Sequence, residues 1–561
     1  MTKASAAAVR DRQNPAARRV QQNKSGRTET WKQRLKSIDP MWYWAAAFLL
    51  AYFLFCLYWA SIVPMDKAPD EPVRIPINDY IMQYGHLPNA WEESVRIHNW
   101  GFSYALRPVL VSIFSAFNMK IASLFSGDLG VQLLAVRLVS VFSAVSLVYY
   151  MFRIGRGLGW QWRWVWGMGV FTALIPQVTF LASYHNNDIF SMACCASVVY
   201  AWIHGINTNW SWKSCVRLSI AMGFTILSYY NAYPFVLFSI PVFFMTAFHK
   251  GMSKEEKKLA WKKTGAIVLM TFLIAGWWFI RNIILYNGDV TGSITREIMG
   301  EQFAIPGLRP SEVTRLKNQG VPFKAVFNST LLALPWWKIT FMSSWCVVGY
   351  VELYLETQEL YWTILGILET GCVLCGLAWL TRFVQGIRSR FKDKDQRRDL
   401  IVLFFCCLAA MLVFLLSMYY SWTDDYQPQG RYVLPALVSY ILIMFYGFRS
   451  LFELITKWIP LKKFWTGVEI VLLCAASGVN IFGQKEVLDL MKTKFAENNY
   501  VSIEYIDHRI EYGPAFETDG NGQTWAQDVD AFEKRGGATV EIYDNHVREE
   551  EARRKASEQG E

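Results

Sequence analysis

The sequence predicts an all-α polytopic membrane protein: a bundle of about eleven transmembrane helices, with amphipathic helices in the first and fourth outward loops. Three observations carry this. Of 561 residues, 53% are hydrophobic and only 18% charged, against about 25% charged in ordinary globular chains. The apolar residues come in blocks of about 20, the length that crosses a bilayer core. Short basic stretches separate the blocks, as cytoplasmic loops do. These features exclude a soluble enzyme, a disordered scaffold and a disulfide-rich secreted module.

The elements follow in order. Residues 1–41 form a basic tail, with 10 basic and 3 acidic residues in the first 40. They are too long and too charged for the n-region of a signal peptide, so the first span, 42–63, reads as an uncleaved signal anchor with a cytoplasmic N-terminus. Residues 64–103 make the first outward loop. The apolar run 104–126 carries Arg107, Pro108 and Lys120 and is expected to lie along the outer interface. Spans follow at 131–152, 164–183, 189–206, 218–232 and 234–248. The next are at 264–285, 360–381, 400–420, 432–448 and 465–483. The basic stretches 207–217, 249–263 and 382–399 fall between them on the inner side. Residues 286–357 form the long fourth outward loop. The domain 42–483 is thus followed by an outward acidic tail, 484–561, with 10 basic and 18 acidic residues. Strand-like pieces at 501–506 and 538–543 suggest partial order there.

Most of the ten cysteines lie inside apolar spans. Cys372 and Cys375 match C-x-x-C, but in an apolar helix without a partner pair they read as small apolar filler. No surface interleaves aromatic and basic residues as a nucleic-acid groove does.

Unusual polar residues gather on one face. The segment Ala68-Pro-Asp-Glu-Pro-Val-Arg74 holds two adjacent carboxylates between prolines just after the first span. Proline fixes the backbone on both sides, so the pair is held at the bilayer surface, where a tuned carboxylate can act as a general base. The same face carries His185, Asn186, Asn187 and Asp188, then Arg281-Asn282, and then Asp424, Asp425, Gln429 and Arg431. Arginine forks bind phosphate oxygens, and the ring of Trp and Tyr suits a sugar. Glu369 stands apart in the middle of a span, where a charge is costly and a polar partner is expected.

The Pro-Asp-Glu-Pro loop resembles the first-loop motif of GT-C superfamily glycosyltransferases. More closely, it resembles a bacterial branch of predicted membrane glycosyltransferases linked to cell-wall polysaccharide and teichoic-acid glycosylation. Other segments match in order: Tyr184-His-Asn-Asn-Asp188, Gly276-Trp-Trp-Phe-Ile-Arg-Asn282 with Tyr286-Asn-Gly-Asp289, Ser343-Ser-Trp-Cys-Val-Val-Gly349 and Gln429-Gly-Arg-Tyr432. The resemblance spans roughly residues 42–483. Arg74 stands where the family pattern has His, so no His role is carried over there.

The resemblance implies a GT-C-like bundle and an inverting transferase. It would move a sugar from a polyprenyl-phosphate donor to an extracytoplasmic cell-envelope glycan. It makes Asp70 and Glu71 the catalytic pair, their like charges raising one pKa. Arg281, Arg431 and Arg74 would hold the donor phosphate. Asn186, Asn187 and Asp188 would position the acceptor or a divalent cation such as Mg or Mn; no cofactor is fixed. Trp336, Trp337 and Trp345 would stack on the sugar. Three rival readings stand beside this one: a transporter or flippase of a lipid-linked glycan, a non-catalytic assembly partner, and a protein O-glycosyltransferase.

Overall fold

A computed structural model describes residues 39–497, apart from 250, 333 and 352. The expected strand-like pieces at 501–506 and 538–543, and the basic segment 1–38, lie outside the described residues. The chain divides at Ala51 into two units. Of the first, the described part is the opening half of α1 (Met41–Ile62), which is apolar on all sides.

The second unit is a helical bundle. Two short helices come first: α2 (Glu71–Tyr84), closed by Gly85 in the left-handed conformation, and α3 (Leu110–Ala122). At 13 residues α3 is about 20 Å long, too short to cross a core of about 30 Å. Next comes α4 (Leu129–Gly157), whose Asp128 side chain accepts from Val131 N–H at 2.9 Å and caps its start. Helices α5 (Trp162–Leu174) and α6 (Pro176–Ala182) follow one another across a bend of 61°. The break falls at Ile175, which precedes Pro176 and is extended rather than helical.

Helix α7 (Asp188–Asn207) is almost wholly buried and forms the centre of the bundle, with α4 packed along one side. Then come α8 (Trp212–Ile226), α9 (Tyr233–Ala247) and α10 (Lys254–Leu285). A capping box of Ser253 and Glu256 starts α10. The long loop contains α11 (Ser293–Phe303), α12 (Trp336–Trp345) and a two-stranded antiparallel ribbon, β1 (Val347–Val348) with β2 (Leu353–Tyr354). Four long helices finish the described chain: α13 (Glu359–Arg388), α14 (Lys394–Thr423), α15 (Leu437–Trp458) and α16 (Lys462–Glu497). Helices α13 and α15 meet backbone to backbone: a Cβ on Gly447 would lie 2.0 Å from the Gly371 carbonyl oxygen.

The protein is therefore an all-helical, multi-pass membrane protein. Among the described residues nine helices are long and apolar enough to cross a bilayer, or ten with the bent α5–α6 pair. The sequence predicts eleven. The difference is α8, a 15-residue helix that carries Lys213 and Arg217; α9, of equal length, qualifies only together with the turn Tyr230–Ala232 before it. The last helix also runs past residue 483, where the tail was expected to begin, as far as Glu497. Glu369 is exposed on the flank of α13, and among the described residues no ion pair or hydrogen bond supplies its expected partner. At the end of the bundle away from Asp70, Arg398 binds Asp399 at 2.8 Å, Asn207 at 2.9 Å and the Leu158 carbonyl at 3.2 Å. One side chain thus locks three connections together.

Candidate active site

Asp70 is the N-cap of α2 and adopts φ +63°, the left-handed region that Asp tolerates better than most residues. This turn sends adjacent carboxylates in opposite directions. Asp70 faces the 427–432 loop, where Arg431 Nη1 donates to its Oδ2 at 2.8 Å. Arg74, one helical turn along α2, lies 3.9 Å from the same oxygen. The Arg74 guanidinium in turn stacks 4.3 Å over the ring of Tyr104.

Glu71 turns inward and is fully buried. Both its oxygens are taken by Arg137 of α4, and Oε1 also accepts from the His185 backbone N–H at 2.7 Å. Arg137 Nη1 closes the knot by donating to the carbonyls of Ala60 and Val63, at 2.8 and 2.7 Å. Glu71 therefore does not share a reaction space with Asp70. Its lone pairs tie α2, α4, the end of α1 and the 183–187 turn into one frame.

Arg431 is aimed by its own neighbours. Its Nε donates to Gln429 Oε1 at 2.7 Å and its Nη2 to the Tyr432 hydroxyl at 3.1 Å, and that hydroxyl donates to Gln427. Gly430 lets this loop lie against α12: its N–H donates to Ser343 Oγ at 2.7 Å, and a Cβ there would sit 2.0 Å from Ser344 N. Only glycine fits so close to another backbone.

The electrostatics follow from this packing. Burial pushes the Asp70 carboxyl up, but Arg431 first and Arg74 second hold it below the ordinary carboxylate value. The expected rise from its acidic neighbour is corrected here, because Glu71 points away and already has Arg137 as counterion. The Tyr104 hydroxyl is pushed up to about 12 by burial and by Asp70. His185 is buried and pushed down to about 3, by burial and then by Arg74 and Arg137. Its imidazole is neutral at physiological pH and hydrogen-bonded to Ser115 at 3.2 Å.

The other sequence-predicted residues divide. Asp188, buried at the start of α7, lies in the field of both Arg74 and Arg431, so it belongs to the cluster. Asn186 uses its amide locally: Nδ2 donates to the Leu181 and Tyr184 carbonyls and Oδ1 accepts from Ile189 N–H, capping α7. Asn187 donates to the Ser228 carbonyl at 3.2 Å. Arg281 lies apart from Asp70 and Arg431, donating to the Pro88 carbonyl with its guanidinium against Trp278 and Tyr286.

The expected stacking tryptophans are corrected by their burial. Trp336 and Trp345 are 0% and 3% exposed, and their ring N–H groups bond Ser421 and Asn480. Trp337 is only partly buried but stacks on Phe327, with ring centroids 6.2 Å apart. Arg137, Tyr104 and Gln427 escape sequence reasoning, whereas Gln429 and Tyr432 stand in the motif already singled out. Arg137 has a readable signal, a lone charge within the apolar run 131–152.

Among the described residues no group of three or more His, Cys, Asp and Glu side chains is placed to hold a metal. The donor set beside Asp70 is also wrong for a divalent cation: two carboxylates face two guanidiniums, and Arg431 already occupies the Asp70 oxygen. The arrangement suits an anion that competes with Asp70 for arginine.

No curated protein sequence matches the chain. It is similar to the apo form of an oligosaccharyltransferase from Archaeoglobus fulgidus, at TM-score 0.45 and 12% identity, over 90% of this chain and 60% of that one. The archaeal oligosaccharyltransferase AglB of the same organism, in complex with an inhibitory peptide and a dolichol-phosphate, aligns at TM-score 0.43 and 12% identity, over 79% and 55%. ArnT from Cupriavidus metallidurans, bound to undecaprenyl phosphate, aligns at 0.40 and 12%, over 86% and 80%. The chain spans little more than half the length of the archaeal enzyme. Residues 88–440 match the family model described as "Predicted membrane protein (DUF2142)", and the chain belongs to that family.

Proposed function

We propose that this protein is an inverting membrane glycosyltransferase of GT-C type. It takes a sugar from a polyprenyl-phosphate-linked donor and passes it to a cell-envelope glycan on the extracytoplasmic side. The observation that carries the reading is the Asp70–Arg431 pair, a partly exposed carboxylate held ionised against a guanidinium at 2.8 Å. The motif resemblance around Asp70, Asp188 and Arg431 gives it context.

The chemistry runs through these side chains. The donor phosphate engages Arg431 and Arg74, which bind phosphate oxygens as they bind carboxylate. Asp70 thereby loses its strongest counterion and becomes more basic. It takes the proton of the acceptor hydroxyl as that oxygen attacks the anomeric carbon. The bond from that carbon to the phosphate oxygen breaks, and the two arginines meet the charge left on the departing polyprenyl phosphate. Glu71 and Arg137 act as positioning residues that hold the left-handed turn at Asp70.

The test is the sugar composition of purified envelope polysaccharide from the parent, a deletion strain, and deletion strains complemented with wild type or Asp70→Asn. Loss of one sugar, restored by wild type alone, supports the reading. Full restoration by Asp70→Asn at equal membrane abundance sinks it.

A further inference from the structure

We propose that a cavity between α3, α4, α7 and α8 binds one anionic glycerophospholipid, its phosphate held by Lys213 and Arg217. The cavity measures about 690 Å³, within the usual range of ligand sites. Phe114, Val139, Phe190 and Phe224 line it, a surface suited to acyl chains. Its rim includes Phe142 and Ile220, which are 54% and 43% exposed on the bundle's flank. A lipid can therefore enter sideways from the bilayer.

The cations lie together. Lys213 and Arg217 are four residues apart on α8 and so share a face. No Asp or Glu lines the cavity with them. Arg217 Nη1 is buried and without a hydrogen-bond partner, and its guanidinium lies 5.3 Å over the Tyr200 ring. Arg153 stands over the same ring at 4.8 Å, adding positive charge. A buried, unpaired guanidinium donor is costly, and a lipid phosphate is the group that would satisfy it.

Position along α7 separates this phosphate from the catalytic one. Tyr200 is 12 residues beyond Asp188 on one helix, about 18 Å along its axis. A phosphate at Arg217 therefore cannot also engage Arg431, and the occupant is a bilayer lipid rather than the sugar donor.

The test uses the full-length protein, stripped of lipid and reloaded from an equimolar mixture of phosphatidylglycerol and phosphatidylcholine. Native mass spectrometry should show one phosphatidylglycerol retained in preference. Replacing both Lys213→Ala and Arg217→Ala should weaken that retention roughly thirtyfold, whereas Lys257→Ala with Lys258→Ala should leave it unchanged. Equal retention of both lipids, an unaltered double variant, or preference for polyprenyl phosphate over phosphatidylglycerol would overturn the proposal. So would release of the lipid by millimolar inorganic phosphate. A second readout needs no variant: phosphatidylglycerol with a photoreactive tail should label α4 and α8, and labelling spread evenly over all lipid-facing helices would count against the site.

Discussion

Arg431 donates to Asp70 at 2.8 Å, although the two stand 361 positions apart in sequence. The pair joins the two ends of the bundle's chain path at one point. It favours the charged form of Asp70.

Removing the base should stop transfer without unfolding the protein. Asp70→Asn keeps a residue that tolerates the left-handed turn and removes the proton acceptor. Activity should fall by about 10²–10⁴-fold, with the thermal melting profile in detergent little changed. Transfer at the wild-type rate would exclude Asp70 as the base.

The acid limb of the pH–rate profile reports on Arg431. In the wild type Asp70 titrates below its ordinary 3.8, because Arg431 and Arg74 outweigh burial. The limb of kcat/KM, which reports the free protein, should therefore lie below that value. Arg431→Gln removes the largest lowering influence and leaves burial in place, so the limb should move upward. A profile that stays put in this variant would show that Arg431 does not set the charge of Asp70.

Breaking the frame beneath the site should cost stability. Arg137→Ala leaves the Glu71 carboxylate buried and uncompensated, a loss of about 3–5 kcal/mol. Glu71→Gln keeps the shape and part of the hydrogen bonding, and should cost less. Chemical denaturation of the purified variants orders the two, and the reverse order would contradict the network described.

His185 makes stability fall with acid. Its folded pKa, about 3, lies below the ordinary 6.5, so the unfolded chain binds the proton more readily. The stability is complete above about 6.5 and is lost as pH falls from there toward 3. His185→Asn should flatten this part of the stability curve. Melting temperatures measured every half pH unit would reveal an unchanged slope if His185 plays no part.

The close approach at Gly430 leaves no room for a side chain. Gly430→Ala would press its Cβ into the Ser344 backbone, costing roughly 1–3 kcal/mol and moving Arg431. Loss of donor binding together with a lower melting temperature is expected; a variant with normal donor KM would mean that the loop can retreat harmlessly.

The helices were legible because a bilayer imposes length and apolarity on each segment separately. The 20-residue core of α7 needs nothing beyond its own composition. Helix α8 misled because its apolar run continues in sequence to Ala232, whereas the helix ends at Ile226. The expected unbroken span 164–183 is instead divided at Pro176 with a bend of 61°. Asp70, Asp188 and Arg431 could each be singled out by residue type and place. Their convergence could not, because no local period relates positions so distant. The parting of Asp70 and Glu71 depends on one left-handed residue, which adjacency in sequence conceals. Trp336 and Trp345 looked available for the same reason that they are not: a tryptophan at a membrane face serves a sugar, an interface or a core equally well by composition.

The distance in sequence between Asp70 and Arg431 also sets an order of events during synthesis. At about 5–20 residues per second, roughly 20–70 s separate the two residues leaving the ribosome. A nascent chain cut short anywhere between them carries the Asp70 carboxylate without the Arg431 guanidinium that pairs with it. The carboxylate is thus among the first parts made, and the ion pair is completed only when all but the last two long helices of the bundle have been synthesised.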